Sequence, residues 1–255
     1  MVTCAAYVLW GIGVIYKMEK FEIRIDATAS TSELVGLVSF PGKYESDIWR
    51  YENLRFESGK IYGLVGEYGQ GPMFLSYLLG GKVKFDDLKL YYNDTEIKRH
   101  DLERISWNLE PHYEKYKKAV VKKSIEKAIR ENQCEEAFQT IAERFILTEP
   151  RYDRKLFQLS GERWRASAAL GYASGKKIFY APYRASKFYY NMCQSALLKA
   201  LKELTASGAI VLLPVGSDDF MKHIADECIY IKQEYDVEEL KERYQELFGT
   251  GEWFH

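Results

Sequence analysis

Cysteine is scarce in this chain and poorly placed for chemistry. Cys4, Cys134, Cys193 and Cys228 form no C-x-x-C pair and have no histidine at ligand spacing. That pattern excludes a zinc knuckle and a disulfide framework, and it fits a reducing cytoplasm. Surplus charge is also lacking. A net charge of −1 gives no field that would draw the whole molecule to nucleic acid or anionic lipid. The basic cluster from Lys115 to Lys123 therefore reads as a solvated helix face. No run reaches the roughly 20 apolar residues of a membrane span. The longest is the stretch of 16 residues before Lys17, which lacks a basic leader. Residues 1–17 read as an apolar extension or an added surface element, with a membrane-touching anchor as the alternative. Repeats and low-complexity segments are absent as well.

What is present is ordinary globular material. The 255 residues are 47% hydrophobic and 29% charged, enough for one large domain with a real core. Aromatics reach 15%, twenty of them tyrosine, and packing accounts for them. A platform for stacked bases would need a basic face too.

Periodicity orders the chain. Phe21–Asp26 alternates apolar and charged side chains and predicts a half-exposed strand; Glu33–Phe40 is a second candidate. Asn53–Gly66 predicts a strand, a turn at Ser58-Gly59 and a buried strand, and Lys89–Ile97 a strand with an Asn-Asp turn. Lys117 to Phe145 holds two amphipathic helices. Ser160 is expected to cap an Ala-rich helix from Glu162 to Ala173, with a buried strand Ile178–Ala181 after it. A helix over Asn191–Gly208, a buried strand Ala209–Gly216, a helix and strand from Asp218, and a closing acidic helix complete the pass. Buried strands alternating with helices imply an α/β fold with a mainly parallel core sheet.

One stretch carries a chemical frame. Ile61–Gly81 reads IYGLVGEYGQGPMFLSYLLGG, a hydrophobic strand, a glycine-rich turn and a helix. A phosphate loop needs backbone N–H groups aimed at the phosphates, a lysine, and a Ser/Thr hydroxyl for magnesium. Gly66, Gly69 and Gly71 keep the turn, around Glu67, Tyr68 and Gln70. The lysine position is Pro72, and the hydroxyl positions are Met73 and Phe74. Pro72 suits the first helical turn but removes an N–H, and Glu67 would repel a polyphosphate.

The order of elements, together with this loop and QLSGERWRASAALGYASGKKIFY, resembles the nucleotide-binding subunit of ABC transporters, from about Phe21 to Phe248. The resemblance implies a P-loop NTPase-like fold. It would have a parallel core sheet, an antiparallel β subdomain and a helical subdomain at about 111–158, all within one domain over 18–255. It further implies the positions of the motifs. Glu110 falls at the glutamine that ends the strand before the helical subdomain. Ser160, Gly161 and Glu162 follow Leu159 as a signature-like segment. Pro182 and Tyr183 fall at the metal-binding aspartate and catalytic glutamate, and Gly216 at the switch histidine. Tyr44 is a candidate to stack on adenine. None of Pro72, Met73, Pro182, Tyr183 and Gly216 can do the family's chemistry. The expectation is a degenerate, non-hydrolysing cassette, with no catalytic residue, no metal site and ATP/Mg bound at most weakly. The family's partners would be a membrane permease subunit, docked at the cytoplasmic face of the cell membrane, and a second copy or an intact ABC ATPase; no nucleic acid is expected. The aromatic stretch Tyr183–Met192 is read as a partner surface or as ordinary packing. An active ATPase is the alternative, with Lys60, Lys82 or Arg184 replacing the lysine and driving peptide, lipid or drug export. A soluble regulatory binding module is another.

Overall fold

The computed structural model describes residues 19–26, 28–30, 48–51, 53–66, 70–83, 89–193, 196–231, 233–234 and 242. The strand expected at Glu33–Phe40, Tyr44 and residues 1–17 lie outside the described residues, as does all of the closing helix except Glu242. The strands are β1 (Glu22–Asp26), β2 (Thr28–Ser30), β3 (Ile48–Arg50), β4 (Leu54–Glu57), β5 (Ile61–Val65), β6 (Lys89–Tyr92), β7 (Thr95–Glu96), β8 (Ser106–Asn108), β9 (Ile178–Tyr180), β10 (Ile210–Val215), β11 (Glu227–Tyr230) and β12 (Gln233–Glu234). The helices are α1 (Gln70–Leu79), α2 (Arg99–Ile105), α3 (Val121–Glu131), α4 (Phe138–Arg144), α5 (Arg163–Ala173), α6 (Ser186–Cys193) and α7 (Ala196–Ala206).

The centre is a five-stranded sheet in the order β11-β5-β10-β9-β8, parallel throughout. Both faces are covered, so β5 and β10 are apolar along their whole length. Ile61, Val65, Val211, Leu213 and Phe179 face one cluster, with α3, α5 and α7. Tyr62, Leu64, Ile210, Leu212 and Tyr180 face the other, with α1 and the antiparallel sheet β4-β1-β6-β7. The fold is thus α/β with a parallel core, an antiparallel sheet beside it, and helices between residues 111 and 158. A third, short sheet has the order β12-β3-β2.

Two details explain how the apolar runs fit. Pro214 has no N–H to give a ladder. β10 pairs with β9 only as far as Leu212, whereas it pairs with β5 through Val215. Ile210 N bonds toward β9 and Val211 N toward Lys60, so Pro214 by alternation faces the side where β9 has ended. Gly63 leaves room for Met221: a β-carbon there would lie 2.2 Å from Met221 Cγ.

Three elements depart from expectation. The helix predicted after Asp218 is only a 3-10 turn, Met221–His223. Asp226 already bonds Ile61 through both backbone and side chain, and β11 starts at the next residue, so no length remains for a helix. The helix predicted over Asn191–Gly208 is α6 and α7, and α6 begins at Ser186. Finally, Glu162, not Ser160, stands at the N-cap of α5, and it makes no side-chain cap bond.

Candidate functional site

The five parallel strands end on one edge, the usual place for a ligand in an open α/β sheet. Gly66, Glu110, Pro182, Tyr183 and Gly216 all follow the carboxyl ends of these strands. The glycine turn enters here. Gly66 N donates to Val215 O at 3.1 Å, so this N–H serves the sheet. A β-carbon at Gly66 would lie 2.8 Å from Pro72 Cγ, which places the proline ring against the turn. Gly71 O accepts from Tyr51 Oη at 2.8 Å, and Tyr51 stacks on Phe74 at 6.1 Å. Met73 and Phe74 are buried in the core. Glu67, Tyr68 and Gly69 lie outside the described residues, and only the helical backbone of Gln70 is described.

On the same edge, past the end of β8, is a charge cluster. Glu110, two residues past β8, is 1% exposed. Its Oε2 accepts from Arg184 Nη2 at 2.7 Å, Trp164 Nε1 at 3.1 Å and Arg163 Nη2 at 3.3 Å. Its Oε1 accepts from His112 N at 3.3 Å. Arg163 Nε stands 3.0 Å from Oε1 without the direction of a hydrogen bond, so that contact is an ion pair only. Burial pushes the Glu110 carboxyl up. The Trp164 hydrogen bond and the charges of Arg163 and Arg184 outweigh it and hold the group below its ordinary value. The guanidinium of Arg184 also lies over the rings of Trp164 and Phe188, at 5.8 and 5.7 Å.

The cluster joins three elements remote in sequence: the end of β8, the start of α5 and the segment after β9. Arg163, Trp164 and Arg184 stand 53, 54 and 74 residues from Glu110, so no spacing motif announces them. The signal available was a lone acid in a mainly apolar stretch, which needs a buried cation.

Pro182 is buried. Tyr183 is half-buried, and its Oη would lie 3.2 Å from a β-carbon at Gly216, so the phenol stands against the switch position. His223 is exposed on its 3-10 turn. Ser160 and Gly161 are exposed, while Glu162 turns inward to Thr148, Arg151 and Arg165 and does not join the strand edge.

The lysines that would have to swing in are remote. Lys60 precedes β5 and pairs with Glu57 at 2.8 Å. The five residues of β5 separate it from the turn, about 16 Å at 3.3 Å each. Lys82 follows α1 and pairs with Glu114 at 3.3 Å. The ten residues of that helix set it about 15 Å away. Among the described residues no group of three or more His, Cys, Asp or Glu could hold a metal. The described side chains at this edge offer a proline ring where a lysine would stand and a committed carboxylate beside two arginines.

The sequence matches no protein-family model and no curated protein. Solved structures do match the fold. One is cbiO1 from Clostridium perfringens, described as part of the ABC transporter complex cbiONQ; it has a TM-score of 0.57 and 13% identity over 90% of this chain and 96% of that one. A second is MJ1267, an ATP-binding cassette of an ABC transporter in its ADP conformation, with 0.55 and 16% over 87% and 93%. A third is MJ0796, a dimeric cassette bound to ADP and Pi, with 0.55 and 14% over 84% and 98%.

Proposed function

We propose that this chain, which has the fold of ABC transporter ATP-binding cassettes, is a non-hydrolysing cassette subunit. The carrying observation is Glu110. A buried carboxylate holds Arg163 and Arg184 at the strand edge, where the fold would otherwise place metal, water and phosphate. Phosphoryl transfer needs cations and a metal placed on the phosphate and a group to orient the attacking water. Pro72, Met73, Pro182, Tyr183 and Gly216 supply none of these. The protein's own ion pairs hold together the end of β8, the start of α5 and the segment after β9.

In this reading the subunit works as a structural member of a transporter. It docks a cytoplasmic helix of a permease with the residues around 111–158, at the inner face of the membrane, and pairs with itself or with an intact ATPase. Support comes from the solved relatives in fold, one of them part of a transporter complex and another dimeric. Among the described residues no helix is long and apolar enough to cross a membrane, which fits a peripheral subunit.

The test has two arms. Purified protein is titrated with Mg-ATP by calorimetry while phosphate release is followed. Saturable binding at micromolar nucleotide with turnover overturns the reading. The tagged chain is also expressed in its native cell and purified from detergent-solubilised membranes. Recovery with a multi-span membrane protein is expected; purely soluble recovery favours a regulatory module.

A further inference from the structure

The lysines between Lys115 and Lys123 are turned outward when the chain folds. Lys115, Lys117 and Lys118 lie in the 3-10 turn Lys115–Lys118, and Lys122 and Lys123 in the first turn of α3. All five are exposed. Their neighbours impose this. Tyr116 stacks on Trp107 at 4.3 Å, while Val121 and Ile125 are buried, so turn and helix both keep their apolar side inward. Lys115 and Lys118, three residues apart in a 3-10 turn, share one side of it. A bridge then adds two residues from a distant part of the chain. Val120 pairs antiparallel with Lys155, and Leu156 N donates to Ala119 O at 3.0 Å. That register sets exposed Lys155 beside the run and directs Phe157 toward Lys118. Phe157 is 39% exposed, an apolar ring with no polar end.

This arrangement is unfavourable for the protein by itself. None of the six lysines has an ion-pair partner among the described residues. Two of them stand at the amino end of α3, where the helix dipole disfavours a cation, and that turn holds no acid. Of the acids within three residues of these lysines, Glu114 is committed to Lys82 and Asn108, Glu126 is half-buried, and Asp153 is exposed. The chain as a whole carries −1, so concentrating cations here leaves the remainder negative. Such a charge dipole turns this face toward any anionic sheet.

We infer that this face binds the surface of an anionic lipid bilayer, with the lysines at the headgroups and the Phe157 ring entering the interface. Clusters of four to eight basic residues recognise anionic lipid in this way. All six cations are lysine. An ammonium is a strongly hydrated point charge that needs no fixed partner geometry, which suits headgroups that diffuse. Single-stranded nucleic acid would call for open aromatic faces as well. The Tyr116 ring is already stacked on Trp107, and Phe157 alone makes no platform. The inference goes beyond the transporter reading and does not depend on it, because no permease, nucleotide or second chain takes part.

The purified full chain is sedimented with large unilamellar vesicles of phosphatidylcholine, or of an equimolar mixture with phosphatidylglycerol, from low to physiological ionic strength. Binding to the mixed vesicles alone is expected, with release as salt rises. Lys117→Gln with Lys118→Gln should weaken the partition about thirtyfold at low salt, about fivefold for each lysine, with the melting temperature unchanged. Lys199→Gln with Lys202→Gln removes the same charge from exposed positions on α7 and should stay within about twofold of the wild type. Phe157→Ser should lower the partition by a similar factor at every salt concentration, because its contribution is apolar. The inference is overturned by absence of binding, by equal binding to neutral vesicles, or by an equal loss in the α7 variant. Tighter binding to a single-stranded oligouridylate than to mixed vesicles at equal phosphate also overturns it. None of these outcomes bears on recovery with a membrane protein, so the two readings fail separately.

Discussion

Replacing Glu110 by glutamine removes one charge and almost no volume. The arginines then face a neutral amide. Breaking a fully buried ion pair by removing one partner costs about 3–5 kcal/mol. Here the side chains of Arg163 and Arg184 keep 25% and 29% of their exposure, so water relieves part of that cost. A loss of about 2 kcal/mol follows, and for a chain of this size each kcal/mol shifts the midpoint by about 2–4 °C. Circular dichroism at neutral pH should therefore show Glu110→Gln melting about 4–8 °C below the wild type. Acid supplies an internal control. The folded carboxyl is held below its ordinary 4.5, so its contribution is complete above that value and is lost as pH falls through the folded one. The gap between variant and wild type should stay constant through neutral pH, shrink below 4.5 and then close. A triple variant, Glu110→Leu with Arg163→Met and Arg184→Met, should recover part of the loss, because both cations go with the acid and only the Trp164 and His112 N–H groups lose their acceptor. A Glu110→Gln midpoint within about 1 °C of the wild type, or a gap that grows in acid, refutes the assignment.

Three further predictions test the frame around the site. Gly63→Ala forces its new methyl against Met221 and should cost about 1–3 kcal/mol, read by urea denaturation and partly relieved by adding Met221→Ala. Arg144→Met strips Glu136 of its guanidinium, bonded at 2.7 and 2.9 Å, and should cost about 3 kcal/mol, with hydrogen exchange rising in α4 before α5. Burial raises the thiol pKa of Cys134 and of Cys228, so at pH 8 mass spectrometry should show both peptides alkylated more slowly than a free thiol, with rates climbing as the pH rises further.

Much of the fold was legible because burial writes itself into short-range pattern. β5 and β10 are covered on both faces and so read as unbroken apolar runs. β1 has one open face and so alternates. α3 and α4 show their inner stripes. Ser58-Gly59 announced a turn, and Gly59 has a φ of +86°. The failures came where a distant partner decided the local outcome. Ser160 looks like a cap in sequence, yet Glu162 takes that position and is drawn inward by Thr148 and Arg151. The segment after Asp218 has helical composition, but Asp226 is pinned to Ile61 across the sheet. The site split in the same way. The positions at the strand ends could be counted from the frame. The pairing of Glu110 with Arg163, Trp164 and Arg184 arises only when three separated segments converge, and nothing local encodes it.

The Glu110 cluster has a consequence for how this sequence can change. Three charged side chains are mutually satisfied, so each holds the other two in place through selection on stability. A substitution at Glu110 leaves two cations facing each other, and one at either arginine weakens the support of a buried acid. Reaching a polar pocket from here requires several substitutions at once, with every single step passing through a less stable protein. The cluster thus resists piecemeal change: each single substitution in it leaves a charge without its partner.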